Sequence, residues 1–84
     1  MSNNDILKKK ILYRATHRGT KEMDLLLGSF IKKYVNVFSK TDLLDFENLL
    51  SIDDEILNKW YFNKNDKYLI PVTKVSKMLK SYKF

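Results

Sequence analysis

The residues best suited to specific recognition lie in the segment Arg18-Gly19-Thr20-Lys21-Glu22, where opposite charges flank a glycine. Arginine is rare in this chain: of 16 cationic side chains, only Arg14 and Arg18 are arginine, and the rest are lysine. The planar guanidinium can bind a carboxylate through two parallel hydrogen bonds, whereas lysine is a generic solvated cation. The segment is therefore a candidate site for recognition of a partner.

A purely structural interpretation of the same segment also stands. Arg18 would be the cation at the end of one helix, Gly19 a left-handed residue that terminates it, and Glu22 an acid in the first turn of the next helix. This interpretation does not explain why the cation is one of only two arginines. Both charges are expected on one exposed corner. The residues alone therefore favour a structural role and a role in partner recognition equally.

The other titratable groups form no catalytic or metal-binding set. The single histidine, His17, fits the last turn of a helix, where a partial positive charge is favourable. Asp53, Asp54 and Glu55 fit the start of a helix for the same electrostatic reason, and consecutive helical residues point in different directions. Cysteine is absent, which excludes thiol nucleophiles and cysteine-ligated metals. We expect no catalytic residue and no metal site.

The aromatic and lysine-rich parts of the second half have simple structural interpretations. Trp60 is expected to anchor the core, and Phe62 to point partly outward. Lys74, Lys77 and Lys80 recur every three residues and are expected to form the solvated face of the last helix.

The spacing of apolar residues predicts helices along the chain. Leu7, Ile11 and Ala15 recur every four residues in a first helix. Thr20 is the predicted N-cap of a second helix. Its apolar stripe comprises Met23, Leu26, Leu27, Phe30, Ile31, Tyr34 and Phe38. Gly28 within it costs about 1 kcal/mol relative to alanine, so we expect a neighbour to pack closely there.

Three shorter helices follow in the prediction. The third begins at Ser39 or Thr41. The fourth is capped by Ser51, whose spacing to Asp54 matches the capping-box pattern. Pro71 is expected in the first turn of the fifth helix.

Length and composition agree with one small domain. The 84 residues are 44% hydrophobic, and two glycines and one proline are too few for a fold of short strands and tight turns. We therefore predict an all-α fold, a small five-helix bundle, as a single domain over 1–84 with an ordered core of about 5–82. The length leaves no room for a dinucleotide-binding domain with a substrate domain, so we expect no enzyme.

The net charge of +6 is unevenly placed along the chain. Residues 1–19 carry five cations and one acid, and residues 59–84 carry seven lysines and one acid. Between them, residues 39–58 carry one lysine and six acids. Two basic ends therefore flank an acidic middle, whereas a nucleic-acid-binding domain usually gathers its cations on one face.

No membrane or targeting segment is predicted. The longest uncharged apolar-rich run, Leu25–Ile31, is too short for a span or for the apolar part of a signal peptide. We expect no membrane insertion and a cytoplasmic location in a bacterium, or the mitochondrial matrix for a processed eukaryotic form.

The segment from His17 to Phe30 resembles the signature of the succinate dehydrogenase FAD assembly factors, the flavinators. Its residues Arg18, Gly19 and Glu22 match the family's R-G-x-x-E motif, and Asp24 begins the D-L-L-L-G-x-F run that follows it. The resemblance continues through the acidic third helix, the turn after it and Trp60, so that it covers about residues 5–82. The lysine-rich chain from residue 63 onward departs from the more acidic family pattern.

The resemblance implies a five-helix assembly chaperone and not an enzyme. Family members bind the flavoprotein subunit of succinate dehydrogenase, and in some bacteria that of fumarate reductase, and promote covalent attachment of FAD to it. In family terms Arg18, Gly19 and Glu22 contact the flavoprotein, with Asp24 beside them. The chain has no glycine-rich phosphate loop, so FAD is the group attached to the partner and no cofactor is expected to bind stably here.

Two other classes of function remain open from the residues. A module binding nucleic acid or another anionic surface would use Lys8–Lys10 and the C-terminal lysines, and its affinity would fall steeply with salt and survive loss of Arg18. A small basic adaptor would use the same Arg18–Glu22 segment on an unrelated partner. The flavinator resemblance predicts no nucleic-acid partner.

Overall fold

The computed structural model describes residues 3–63 and 70–84, which form five α-helices. They are α1 (Asn3–Ala15), α2 (Lys21–Tyr34), α3 (Lys40–Leu50), α4 (Asp54–Asn63) and α5 (Lys74–Ser81). The predicted all-α fold of five helices is confirmed. Within the described ranges no helix has both the length and the apolar composition needed to cross a membrane.

The core is built around the apolar face of α2. Helix α1 packs on α2 and α3, and α3 packs on α5. The fully buried Phe30 lies at the centre, where its ring centroid is 5.9 Å from Phe38, 5.7 Å from Phe46 and 5.3 Å from Tyr82. Burial of each such side chain contributes about 1.5–3 kcal/mol. This packing fixes α2, and with it the connection between α1 and α2, against the rest of the bundle.

The helix starts are set by side-chain caps. The Thr20 hydroxyl accepts a hydrogen bond from the Met23 backbone N–H at 3.3 Å, as predicted for α2. Ser39 and Asp42 form a reciprocal capping box at the start of α3. Thr73 caps α5 in the same way, so the expectation that Pro71 lies in its first turn is wrong. The proline precedes the helix because Thr73 supplies the cap.

The predicted start of α4 also needs correction. Ser51 does not cap α4; it is the C-cap of α3. The Asp53 carbonyl accepts the first helical hydrogen bond, from Leu57 N–H at 3.0 Å. The carboxylate of Asp54 therefore takes no part in a capping box with Ser51, and it accepts hydrogen bonds from the connection between α1 and α2.

Two packing predictions are confirmed. Gly28 is buried, and a Cβ there would lie 3.1 Å from the Thr16 methyl carbon, so the end of α1 packs closely on α2. Trp60 is buried, and Phe62 is 46% exposed.

Candidate functional site

The candidate site is the elbow between α1 and α2, here residues 16–20. It lies beside the turn 51–53 that joins α3 to α4. The two connections are adjacent because the first helix packs on both α2 and α3. Both connections line a polar cavity of about 350 Å³ that is open to solvent. It is lined by His17, Arg18, Gly19, Leu50, Ser51, Ile52, Asp53 and Asp54.

The guanidinium of Arg18 joins the elbow to the end of α3 and the start of α4. Its Nε donates to the Asp54 Oδ1 at 2.6 Å, and its Nη2 lies 2.5 Å from the same oxygen. Nη1 donates to the Leu50 carbonyl at 2.6 Å, and Nη2 to the Ile52 carbonyl at 2.9 Å. The fork thus binds a carboxylate and also satisfies carbonyls at a helix C-terminus, where cations are favourable. Lysine could not make this set of contacts.

Arg18 is therefore not the exposed charge that the sequence suggested. Its side chain is only 12% exposed, and that of Asp54 only 18%. The backbone N–H of Arg18 also donates to the Asp24 carboxylate, across the start of α2. Arg18 and Asp24 consequently hold the elbow in shape, and the planar fork explains why arginine stands at this position.

Gly19 is required for close approach. Its backbone N–H donates to the Asp54 Oδ2 at 2.8 Å, and a Cβ at this position would lie 3.2 Å from the same oxygen. The backbone of Gly19 is not in the left-handed region, so the expectation that it terminates α1 by that conformation is wrong. The helix has already ended at Ala15, and the hydroxyl of Thr16 bonds back to the Leu12 carbonyl at 2.8 Å.

Glu22 differs from the other three candidate residues. It lies in the first turn of α2, is exposed, and makes no hydrogen bond or ion pair with any residue in the described part of the chain. One turn later on the same face, Leu25 is 51% exposed. A free carboxylate beside an exposed apolar side chain is suited to contact with another molecule.

The other end of the elbow carries an aromatic pair. The His17 ring stacks on that of Tyr13, with centroids 4.0 Å apart, and its Nδ1 lies 2.7 Å from the Tyr13 carbonyl oxygen. Tyr13 is 64% exposed. The His17 position just beyond α1 agrees with a helix-end role, and the described residues contain no cluster of three metal-binding side chains.

The site residue that sequence reasoning missed is Asp54. The sequence predicts Asp53, Asp54 and Glu55 at the start of a helix, and α4 does begin at Asp54. Arg18 and Asp54 are 36 positions apart in the chain, so no local sequence pattern indicates that they pair. The one available signal is the presence of arginine in a lysine-rich chain, because a planar guanidinium is suited to binding carboxylate and carbonyl groups through several N–H groups at once.

Comparison with known proteins places the elbow in a family context. A family model described as flavinator of succinate dehydrogenase matches residues 9–83. The FAD assembly factor SdhE of Acetobacter pasteurianus is 33% identical over 73 residues, which cover 87% of this chain and 64% of that protein. The protein of the same name from Wigglesworthia glossinidia brevipalpis is 32% identical over 83 residues, 94% of each chain. No solved structure matches the chain.

A mitochondrial relative extends the comparison to eukaryotes. Succinate dehydrogenase assembly factor 2 of Scheffersomyces stipitis is 35% identical over 77 residues, which cover 90% of this chain and 52% of that protein. The chain thus spans about half of the yeast protein and somewhat less than two thirds of the Acetobacter protein. The family model covers the elbow, most of α1 and all the later helices, and the chain therefore belongs to the flavinators of succinate dehydrogenase.

Proposed function

We propose that this chain is an assembly factor that binds the flavoprotein subunit of succinate dehydrogenase and promotes covalent attachment of FAD to it. The observation that supports this most directly is the family match across the elbow. The names of its relatives, FAD assembly factor and succinate dehydrogenase assembly factor 2, agree with this role. The flavoprotein of fumarate reductase is a second partner to test.

The elbow is proposed as the partner-binding site, with different tasks for its four residues. Glu22 makes a direct contact because its carboxylate is exposed and has no partner among the described residues. Arg18 and Asp24 are positioning residues, since their polar groups are bonded within the chain. Gly19 lets the elbow backbone approach Asp54.

A rigid elbow favours binding. Each rotamer-rich side chain that is ordered only on association costs about 0.5–1.5 kcal/mol. Arg18 is already held by three acceptor groups, so its order is established before the partner arrives. A preorganised surface can then stabilise the flavoprotein conformation in which the acceptor side chain and the flavin are aligned.

Bond formation itself is assigned to the flavin and the flavoprotein. The chain would hold no cofactor and catalyse no reaction alone; it would select a conformation of its partner. We infer the bacterial cytoplasm or the mitochondrial matrix as its location, because the relatives include bacterial proteins and proteins named as mitochondrial.

The interpretation as a nucleic-acid-binding module is less favoured because the acidic middle partly neutralises the basic ends. Lys10 lies 3.2 Å from Glu47, and Lys74 lies 3.5 Å from Asp42. These contacts remove two cations from any continuous basic stripe.

The direct test is covalent flavin in a strain that lacks this protein. We expect the flavoprotein subunit to be made but to show little fluorescence on a denaturing gel, and the wild-type gene to restore it. Normal fluorescence without the gene contradicts the proposed function. A pull-down with the purified protein identifies the flavoprotein that it binds.

A further inference from the structure

A second concave surface lies between the end of α2 and α5, and none of its lining residues belongs to the elbow cavity. Its volume is about 580 Å³. We call it the lysine groove. It is lined by Lys33, Tyr34, Lys77, Met78, Ser81, Tyr82 and Lys83.

The cations of the lysine groove lack compensating carboxylates. Within residues 3–63 and 70–84, Lys33, Lys77 and Lys83 form no ion pair, and no acidic side chain lines the groove. In contrast Lys74, one turn before Lys77 on α5, pairs with Asp42 at 3.5 Å. Of these two lysines, Lys77 in the groove therefore keeps a charge that no carboxylate of the described residues compensates, whereas the charge of Lys74 is paired.

Aromatic side chains form a fixed floor beneath these cations. The Tyr34 ring stacks on Phe38 with centroids 5.7 Å apart, and meets the Tyr82 ring edge-on at 6.4 Å. The Lys33 ammonium lies 5.5 Å from the Tyr34 centroid and 5.9 Å from that of Tyr82. Cation–π contact of this kind keeps the ammonium over the rings. Met78 adds an adaptable apolar side chain to the floor.

We propose that the lysine groove binds an acidic peptide segment of a protein partner. Carboxylates of the segment would pair with the lysines at the rim, and an apolar side chain would lie against the tyrosines and Met78. This surface is separate from the elbow, so the inference holds whether or not the elbow binds a flavoprotein.

The surroundings of the groove favour a short acidic peptide over a nucleic acid. On α5 the next lysine toward the start of the helix, Lys74, already pairs with Asp42 at 3.5 Å. A nucleic-acid strand carries a charge on every nucleotide, so phosphates that extended past the groove along α5 would meet a lysine whose charge is already compensated. A peptide with a few carboxylates needs only the cations of the groove.

The test is fluorescence anisotropy with a fluorescein-labelled peptide, Glu-Glu-Leu-Glu-Glu, at low salt. The groove variant combines Lys33→Glu with Lys77→Glu. The matched control combines Lys21→Glu with Lys32→Glu, two exposed lysines of α2 outside the groove, and changes the net charge equally. Circular dichroism melts establish that both variants are folded.

We expect the groove variant to bind the peptide about tenfold more weakly than wild type, since each reversed charge replaces an attraction by a repulsion. The control should change the affinity no more than about twofold, through long-range charge alone. Absence of binding to the wild type, or equal weakening in both variants, overturns the proposal. Tighter binding of an oligothymidylate of the same charge, lost in the groove variant, overturns it in favour of a nucleic acid.

Discussion

The Asp54 carboxylate accepts a hydrogen bond from Arg18 Nε at 2.6 Å, although the two residues are 36 positions apart in the chain. Its other oxygen accepts the backbone N–H of Gly19 at 2.8 Å. One carboxylate at the start of α4 thus holds both the side chain and the backbone of the α1–α2 elbow. The R-G part of the family motif is explained by this contact, which leaves the glutamate free for another task.

Replacing Arg18 should destabilise the protein even when the charge is kept. Lysine has no planar fork, so Arg18→Lys leaves at least one carbonyl of Leu50 or Ile52 unsatisfied. We expect a loss of about 1–3 kcal/mol in the free energy of unfolding, with a larger loss for Arg18→Ala. Urea denaturation measures the unfolding free energy of both variants. We also expect less covalent flavin on the flavoprotein, because the elbow that is proposed to bind it is no longer held in place.

The matched control is Arg14→Lys. Arg14 lies 3.7 Å from Glu47 and is more exposed than Arg18, so its replacement should cost no more than about 0.5 kcal/mol. A double-mutant cycle of Arg18→Ala with Asp54→Ala tests the pairing. Additive losses would contradict the contact, as would equal costs for the two lysine variants.

Glu22→Gln should separate binding from stability. The side chain is exposed and unpaired within the described ranges, so the free energy of unfolding should change by no more than about 0.5 kcal/mol. Loss of an interfacial charge pair with the flavoprotein should weaken binding by about 2–5 kcal/mol. Asp45→Asn on α3 removes the same charge away from the elbow and should leave covalent flavin unchanged. Full flavin incorporation with Glu22→Gln would exclude Glu22 as the contact.

The helices and the apolar core could be predicted because both depend on local spacing. The stripe from Met23 to Ile31 is buried as its period requires, and Thr20 caps α2 as its hydroxyl allows. The sequence places the start of α5 wrongly because proline and threonine both favour a helix start. The reciprocal hydrogen bonds between Thr73 and Ser76 put the cap at Thr73.

The bonding within the site could not be predicted because it is tertiary. The residue types identified the elbow, but they do not show that Arg18 is bonded inward while Glu22 is free. That difference depends on where the end of α3 lies, which follows from the packing of α1 on α3. The lysine groove is also tertiary: its cations come from α2, from α5 and from the residues just beyond α5.

Gly19→Ala should destabilise the protein because the new methyl group meets the Asp54 carboxylate, and the substitution Asp54→Ala tests this reason. The new methyl would lie 3.2 Å from Asp54 Oδ2, and the Arg18 fork prevents that carboxylate from moving freely. We expect the free energy of unfolding to fall by about 1–2 kcal/mol. In an Asp54→Ala background, Gly19→Ala should barely change the free energy of unfolding, because Asp54 Oδ2 is then absent. An equal loss of unfolding free energy in both backgrounds, measured by urea denaturation, would show that the contact with Asp54 Oδ2 is not the reason for glycine at position 19.

The last prediction concerns pH and the capping box of α3. The Ser39 backbone N–H donates to the Asp42 carboxylate at 3.1 Å and lowers the pKa of Asp42 below its ordinary value of 3.8, with a smaller contribution from the ammonium of Lys74. Because the folded pKa lies below the unfolded one, the stabilisation is complete above about pH 5, begins to fall near the unfolded pKa, and is lost as the pH falls through the folded pKa.

Asp42→Asn keeps an acceptor for the Ser39 N–H but removes the charge. We expect its melting temperature to lie below that of wild type by a constant amount from pH 7 to about pH 5. The difference should shrink below about pH 4, as the wild-type carboxylate is protonated. Lys74→Gln should have a smaller effect, since the Lys74 side chain is 69% exposed and its attraction is screened. A difference that persists undiminished to pH 2.5 would show that shape, and not charge, makes Asp42 favourable at this cap.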